Sequence, residues 1–252
     1  MMPLWGDEEI SPSLRLLRPT MTIVNCEVKL DIREFISYEK ARGDCYRLLS
    51  ACFYTPKKEL FIQDGLLKNL TGLLKQTCPG AAVFSVKMEK AAQRYSNEDL
   101  LVEYAKLFVG PYELIAPPYG SVYLDNERRV MGDSTMEVIK MYQESGLSMD
   151  KDFKELPDHI AAELEFMYYL IYKETEALEE SEIDAALSYL KTQELFLNRF
   201  LGRWISPFCE KMKEGTDNEF YAALASCASS FVMNSQLPDD ITESIKEKGM
   251  RV

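Results

Sequence analysis

Apolar side chains recur at helical spacing along most of the chain after residue 31. The clearest stripe has intervals of four, three and four residues and consists of Ile160, Leu164, Met167 and Ile171. Residues three and four apart lie on one face of an α-helix, so this stripe predicts a helix that is buried along that face. Comparable patterns predict further helices at 32–54, 60–74, 83–95, 97–108, 133–146, 181–204 and 216–231.

Helix starts are marked by capping patterns. The pattern Ser/Thr-x-x-Asp/Glu, in which two side chains satisfy free backbone amides of a first turn, predicts starts at 96–99, 181–184 and 216–219. The one strand candidate, Ser121–Leu124, is too short to build a sheet. The pattern therefore predicts an all-α fold, a single helical-bundle domain of roughly eight to ten helices.

Two connections, 110–132 and 146–157, are longer than the roughly 2–8 residues usual between helices in bundles. Long loops in compact domains are often functional, and the second loop is a candidate hinge between two helical halves. Such halves could exchange between protomers, so the sequence is consistent with a monomer or a domain-swapped homodimer. The domain is expected to span 31–237, preceded at 1–30 by a poorly ordered extension or an upstream start and followed at 238–252 by a polar tail.

The composition removes several classes of function. The 252 residues include 29 basic and 41 acidic side chains, a formal net charge of −12 that is unfavourable for binding nucleic acid. The single histidine, His159, cannot build a multi-histidine metal site or a two-histidine acid/base pair. The chain has no phosphate-binding glycine motif and no C-x-x-C pair, so neither a cofactor nor a metal site is predicted.

Three features of the sequence predict a cytoplasmic location. No apolar run reaches the length of about 18 residues that a membrane span needs. The N-terminus carries acids at Asp7, Glu8 and Glu9 instead of the basic start of a secretory signal. The cysteines are expected to be buried free thiols in a reducing compartment; they are Cys26, Cys45, Cys52, Cys78, Cys209 and Cys227.

A loop rich in proline and tyrosine stands out at 110–125. Pro117 and Pro118 stiffen its backbone, and Tyr119 and Tyr123 provide flat amphipathic rings. This combination suits a rigid wall of a peptide-binding groove. The alternative interpretation is a structural loop packed over the core.

A second unusual segment is 156–166. Pro157 is favoured at a helix start, Asp158 can cap the exposed amides there, and His159 and Glu163 lie four residues apart and can pair. The alternative is a simple cap beside a surface histidine. Because no nucleophile, base and orienting group occur together, no catalytic residue is predicted and the chain is not expected to be an enzyme.

Taken in order, these segments resemble the hallmarks of a known family. The matching residues are Tyr104-x-x-Leu107-Phe108-x-Gly110-Pro111, then Pro117-Pro118-Tyr119-x-Ser121-x-Tyr123-Leu124, then Gly132-x-Ser134-Thr135 and Tyr142, and finally Pro157-Asp158-His159 with Glu163-Leu164-x-Phe166-Met167. In order and spacing they are similar to the TorD/DmsD family of cytoplasmic redox-enzyme maturation chaperones. The resemblance covers residues 33–235.

The resemblance implies an all-helical fold with no reaction of its own. It implies binding of the N-terminal signal peptide, often a twin-arginine signal, of a molybdopterin oxidoreductase catalytic subunit. The chaperone would hold the apo-enzyme until the cofactor is inserted and would block premature export. The residues that the resemblance assigns to signal-peptide and client binding are Asp158, His159, Leu107, Phe108, Tyr119, Ser121 and Tyr123.

The negative charge of the chain is concentrated around the 156–166 segment. Residues 150–184 contain twelve acids and three bases, a net charge of −9 out of −12. A signal peptide carries a basic start and an apolar stretch, so an acidic rim beside an apolar groove would complement it. The alternative, for Glu174 and the acids after it, is a solvated helix face.

Three other functions are compatible with the same residues. The Leu156-Pro157-Asp158-His159 wording also occurs in NarJ-like chaperones, which serve a cytoplasm-facing nitrate-reductase-type subunit, although the 117–123 loop favours the TorD-like branch. A helical adaptor could bind a folded partner through that loop. An enzyme could use Asp158 and His159 as an acid/base pair, but it would need a third positioned group.

Overall fold

The computed structural model describes residues 31–110, 114–125, 130–148 and 155–235, together with Ile245. Eleven α-helices lie in these ranges: α1 Ile32–Ala51, α2 Lys58–Ile62, α3 Leu66–Thr77, α4 Pro79–Arg94, α5 Asn97–Tyr104, α6 Ser121–Leu124, α7 Asp133–Glu144, α8 Ile160–Glu179, α9 Ile183–Arg199, α10 Leu201–Gly215 and α11 Glu219–Asn234. A π-helical turn, Ala105–Val109, continues α5. The predicted all-α fold is confirmed, and the described residues contain no strand beyond one isolated bridge.

Helix α8 carries the predicted apolar stripe. Ile160, Leu164, Met167 and Ile171 are all buried, and α8 packs against both α1 and α9. Helix α4 packs against α3 and α11, and α10 packs against α9 and α11. Helices that precede and follow the 146–157 connection share one large apolar core, so the bundle is a single domain.

Two long periodic segments are interrupted where the backbone departs from helical geometry. The segment 60–74, predicted as one helix, is divided between α2 and α3 at Gly65, whose φ of 73° lies in the left-handed region that favours glycine. The segment 181–204 is divided between α9 and α10 at Phe200. Close by, a Cβ on Gly202 would lie 2.5 Å from the carbonyl oxygen of Leu197, so this sharp turn requires glycine.

One of the three predicted capping boxes forms. The Ser96 hydroxyl accepts from the Asp99 amide at 3.0 Å, and the Asp99 carboxylate accepts from the Ser96 amide at 2.9 Å. The box at 181–184 is wrong because Ser181 has a φ of 62° and no side chain caps α9. The box at 216–219 is also wrong, because Asn218 caps α11 by accepting from the Phe220 amide.

The remaining differences concern short elements. The strand candidate at 121–124 is the one-turn helix α6, and α2 is similarly short, which brings the number of described helices to eleven. Helical periodicity cannot identify elements of about one turn. None of the helices in the described ranges is long and apolar enough to cross a membrane. The five cysteines within those ranges are free and buried, as predicted.

Several predictions fall on residues that the structure does not describe. The extension at 1–30 and, apart from Ile245, the tail at 238–252 lie outside the described residues. So does most of the proposed hinge, 149–154, together with the four acidic and basic residues that it contributes to the charged segment. Ile245 packs beside Phe35, Leu178 and Leu187 in a small second apolar cluster.

Candidate functional site

The two segments that stood out in the sequence are joined in the fold. The residue pair Tyr119 and His159 forms an antiparallel bridge. On one side the Gly120 amide donates to the carbonyl oxygen of Asp158 at 2.9 Å, and on the other the Ile160 amide donates to Pro118 at 2.9 Å. The loop before α6 is therefore fastened to the start of α8.

Asp158 reinforces this junction with its side chain. The residue is 1% exposed, and its Oδ2 accepts from the Ser121 amide at 2.8 Å. Ser121 is the first residue of α6, so the carboxylate satisfies a free amide at the start of that helix. The prediction that Asp158 caps its own helix is wrong, because the chain turns it towards the loop.

His159 is the residue that caps α8. It is 2% exposed, and its Nδ1 accepts from the Ala161 amide at 3.2 Å. Burial lowers its pKa to about 4, so the ring is neutral at pH 7 and carries its proton on Nε2. Its ring stacks against Tyr54, with centroids 6.4 Å apart, and meets Tyr119 edge-on at 5.5 Å.

Glu163 does not pair with His159 as the four-residue spacing suggested. Its Oε2 accepts from the indole Nε1 of Trp204 at 2.9 Å, and the residue is fully buried. Burial raises its pKa well above the usual range, and the neighbouring charge of Asp158 raises it further. A Cβ on Gly120 would lie 3.0 Å from Oε1 of Glu163, a tighter contact than side chains usually make, so a larger residue would press on the Glu163 carboxylate.

The accessible edge of the site consists of two tyrosine–carboxylate pairs. The Tyr119 hydroxyl donates to Oε2 of Glu155 at 2.8 Å, and the Tyr54 hydroxyl donates to Oε1 of Glu165 at 2.8 Å. Burial is the main cause that raises the pKa of both hydroxyls. The hydrogen-bonded carboxylate, Glu155 for Tyr119 and Glu165 for Tyr54, raises each pKa further. We call these four residues the tyrosine–carboxylate rim; Glu165 is exposed and the other three are half-buried.

Tyr123 lies further along the same loop. Its ring stacks on Trp204 with centroids 5.6 Å apart, and the Lys211 ammonium lies 5.6 Å from the centre of the Tyr123 ring. The residue is half-buried. Tyr123 is thus joined to Glu163 through the Trp204 side chain, which contacts both.

Leu107 and Phe108 lie beneath the site. Both are buried, and the Leu107 carbonyl accepts from the Ala116 amide at 3.0 Å, which fastens the start of the loop to the π-helical turn. The Phe108 ring packs against Phe53 and Phe208 in the core.

The predicted site residues therefore occupy two layers. Five are buried, namely Leu107, Phe108, Ser121, Asp158 and His159. Only Tyr119 and Tyr123 are partly accessible. The buried residues support the loop, and a partner could touch the site directly through the tyrosines and their carboxylates.

Sequence reasoning missed four residues of this site. Tyr54 and Trp204 belong to no motif and reach the site from separate parts of the chain, whereas Glu165 lies within the 156–166 segment and Glu155 directly precedes it, without either having been assigned to the site. The cluster of acids at 150–184 was the one signal that touched Glu155 and Glu165. Within the described part of the chain, no group of three or more His, Cys, Asp or Glu side chains is arranged to hold a metal ion.

Comparisons with known proteins identify the family of this chain. The family model described as nitrate reductase delta subunit matches residues 63–210. The chaperone protein TorD of Photobacterium profundum is 27% identical over 206 residues, covering 76% of this chain and 91% of that protein. The Tat proofreading chaperone DmsD of Salmonella typhimurium is 31% identical over 190 residues, covering 72% and 82%.

A crystal structure from Archaeoglobus fulgidus has a TM-score of 0.45 at 21% identity and covers 74% of this chain and 90% of its own. The described residues form an all-helical bundle with a loop fastened to the start of a buried helix. The chain belongs to the TorD/DmsD family of redox-enzyme maturation chaperones. The relatives above are named chaperones, in agreement with the expectation that this chain is not an enzyme.

Proposed function

We propose that this protein is a cytoplasmic chaperone that binds the twin-arginine signal peptide and the apo-form of a molybdopterin oxidoreductase catalytic subunit. It holds the subunit for cofactor insertion and delays its export. The names TorD and Tat proofreading chaperone DmsD of the relatives support this proposal. The observation in this chain that carries it is the tyrosine–carboxylate rim next to the buried side chains of Asp158, His159 and Glu163, which we call the support of the rim.

The charge of the site suits a cationic peptide. Glu155 and Glu165 present carboxylates beside aromatic rings, and Asp158 lies behind them. None of these three acids forms an ion pair with a lysine or arginine in the described residues. Guanidinium groups bind carboxylates with two hydrogen bonds and stack on aromatic rings, so paired arginines are matched by this rim.

The two layers divide the work of binding. The rim contacts the peptide, whereas Asp158 and His159 act as positioning residues because they hold the loop and the start of α8 together. Leu107, Phe108 and Ser121 fix the loop from beneath. Tyr123 extends the accessible surface towards α10, where an apolar part of the peptide can pack.

The test is a fluorescence anisotropy titration of the full chain with a labelled twin-arginine signal peptide. We expect Glu155→Gln with Glu165→Gln to weaken binding by on the order of tenfold at low salt, because neutral amides keep the shape but lose the charge. The matched control is Glu180→Gln with Glu182→Gln, two exposed acids beyond α8. Equal loss of affinity in both double variants would reject the rim as the binding surface.

A second candidate is a chaperone of the nitrate-reductase branch, which the description of the matched family supports. Such a protein would recognise a subunit terminus without a twin-arginine requirement. Replacing both peptide arginines by lysine separates the candidates. We expect weaker binding because lysine cannot make the paired hydrogen bonds of a guanidinium; unchanged affinity would favour the nitrate-reductase branch.

A further inference from the structure

A groove lies between α4 and α11 and shares no residue with the tyrosine–carboxylate rim. Its volume is about 500 Å³. One wall carries Lys87, Lys90 and Arg94, which are all exposed, and the other is formed by α11. The spacing of three and then four residues places the three cations on one face of α4, where they extend over about two helical turns.

The positive charge of this groove is only partly neutralised. Arg94 forms an ion pair with Glu219 at the start of α11. The Lys87 ammonium lies over the ring of Phe84, 5.4 Å from its centre. In the described part of the chain, neither Lys87 nor Lys90 has a carboxylate within ion-pairing distance. A cationic groove in a chain of net charge −12 is selective for an anionic partner.

The floor of the groove is mostly apolar, and on the α11 side it is formed by small side chains. Phe84 is half-buried on the α4 side, and the α11 side presents the small side chains of Ala222, Ala223 and Ser226. Small residues allow the backbone of a partner to come close to α11. A groove between two helices with an apolar floor and a charged wall has the form that accepts an amphipathic helix.

We propose that the groove between α4 and α11 binds an acidic amphipathic helix of the client subunit, outside its signal peptide. Acids spaced three and four residues apart on that helix would face Lys87, Lys90 and Arg94, and its apolar face would cover Phe84 and the small residues of α11. The assignment to a client rests on the chaperone function proposed above. The chemistry of the bound segment follows from the groove alone.

The probe is a fluorescein-labelled helical peptide of about 18 residues with glutamate at i, i+3 and i+7 and leucine on the adjacent face, titrated with the full chain. We expect Lys87→Glu with Lys90→Glu to weaken binding by on the order of tenfold or more, since two attractions become repulsions. A peptide with lysine in place of glutamate should bind no more than weakly. The matched control is Lys68→Glu with Lys75→Glu, two exposed lysines of α3 outside the groove.

Several outcomes would overturn the proposal. Equal weakening by the two double variants would mean unspecific attraction to surface charge. Binding of anionic phospholipid vesicles in preference to the peptide would assign the groove to a membrane surface, and groove-dependent self-association in sedimentation would assign it to a second copy of the chain. Titration of the groove variant with the twin-arginine signal peptide separates the two proposals, because its affinity should stay unchanged even if the acidic peptide fails to bind.

Discussion

Two clusters of buried polar residues lie in this bundle, and they differ in how their charge is compensated. In the first, between α1 and α9, Arg42 donates to Oε1 of Glu39 at 2.8 Å and to the Gln193 side chain at 2.5 Å. Gln193 in turn donates to Oε2 of Glu174 at 2.6 Å. A guanidinium therefore links the polar groups of this cluster, which we call the arginine cluster.

The second cluster is the support of the rim, and among the described residues it contains no cation. Asp158 and Glu163 are both buried, and the basic side chain described beside them, His159, is neutral at pH 7 because burial lowers its pKa to about 4. Oδ1 of Asp158 and Oε1 of Glu163 have no hydrogen-bond partner among the described residues, and neither has Oε1 of Glu174 in the arginine cluster. The two clusters therefore differ in whether a cation faces the carboxylates and not in whether every oxygen has a partner.

The contrast indicates different roles. In the arginine cluster a guanidinium faces the carboxylates, and the hydrogen bonds of Arg42 and Gln193 link α1, α8 and α9. The support of the rim places two acidic side chains next to an accessible surface with no described cation beside them, which suits the proposed binding of a cationic peptide.

Arg42→Met should be the most destabilising of these changes. It leaves the buried carboxyl of Glu39 without its cation, and breaking a buried pair costs about 3–5 kcal/mol. Urea denaturation followed by circular dichroism measures the loss. Signal-peptide affinity of the protein that remains folded should be unchanged; a selective loss of affinity at full stability would place the arginine cluster in the functional site.

The pH dependence of stability should distinguish His159. Since its pKa falls from 6.5 to about 4 on folding, the unfolded chain binds the proton more readily, and stability is lost as pH falls through this window. The loss due to His159 is on the order of 3 kcal/mol. Glu163 acts with the opposite sign because its pKa is raised on folding, so it favours the folded state at low pH.

The measurement that isolates the histidine is urea denaturation at pH 7 and pH 4.5 of the wild type and His159→Asn. Asparagine keeps an acceptor for the Ala161 amide but does not titrate. The variant should lose less stability than the wild type on acidification. Parallel losses in the two proteins would contradict burial of a neutral His159.

Gly120→Ala should destabilise the loop by about 1–3 kcal/mol, because its Cβ would press on Glu163 and Trp204 at 3.0 and 3.1 Å. Gly72→Ala is the matched control. Gly72 lies in the middle of α3 with nothing within 4 Å of its Cβ, so alanine should be stabilising by about 0.4–1 kcal/mol. Equal effects at the two glycines in thermal unfolding would show that the loop does not approach α8 closely.

Asp158→Asn should change binding more than stability. The amide oxygen can still accept from the Ser121 amide, but the negative charge behind the rim is removed. We expect a loss of signal-peptide affinity of about tenfold, which corresponds to about 1.4 kcal/mol. Asp99→Asn is the control. Asp99 also accepts from a backbone amide at a helix start, but it belongs to α5 and makes no contact with a rim residue in the described hydrogen bonds. A matching loss in both variants would remove any specific role of Asp158.

The comparison also shows how far the sequence could predict this molecule. The α8 stripe and the capping box at Ser96 were predictable because each depends on residues within about one or two turns. The division of the 181–204 segment at Phe200 was not, because Phe200 is neither glycine nor proline and an isolated glycine such as Gly202 is tolerated within helical patterns.

The site divides in the same way. The Asp158 and His159 pair and the 117–123 loop were identified from the chain, but their partners were wrong, because Asp158 binds Ser121 and Glu163 binds Trp204 across the fold. Tyr54 and Glu165 could not be found from the sequence, since they become neighbours only when α1 packs against α8. Tertiary contacts, which no local pattern encodes, decided the roles of the site residues.

Location of the bound peptide is the most direct test of the central claim. A twin-arginine signal peptide with a diazirine next to its arginine pair, photolysed with the full chain and mapped by mass spectrometry, reports which residues it touches. We expect the label on residues of the tyrosine–carboxylate rim, which include Tyr54, Glu155 and Glu165, and on other residues of the 117–123 loop. Labels confined to α9 beside the arginine cluster, or to the groove between α4 and α11, would contradict the claim that the rim receives the signal peptide.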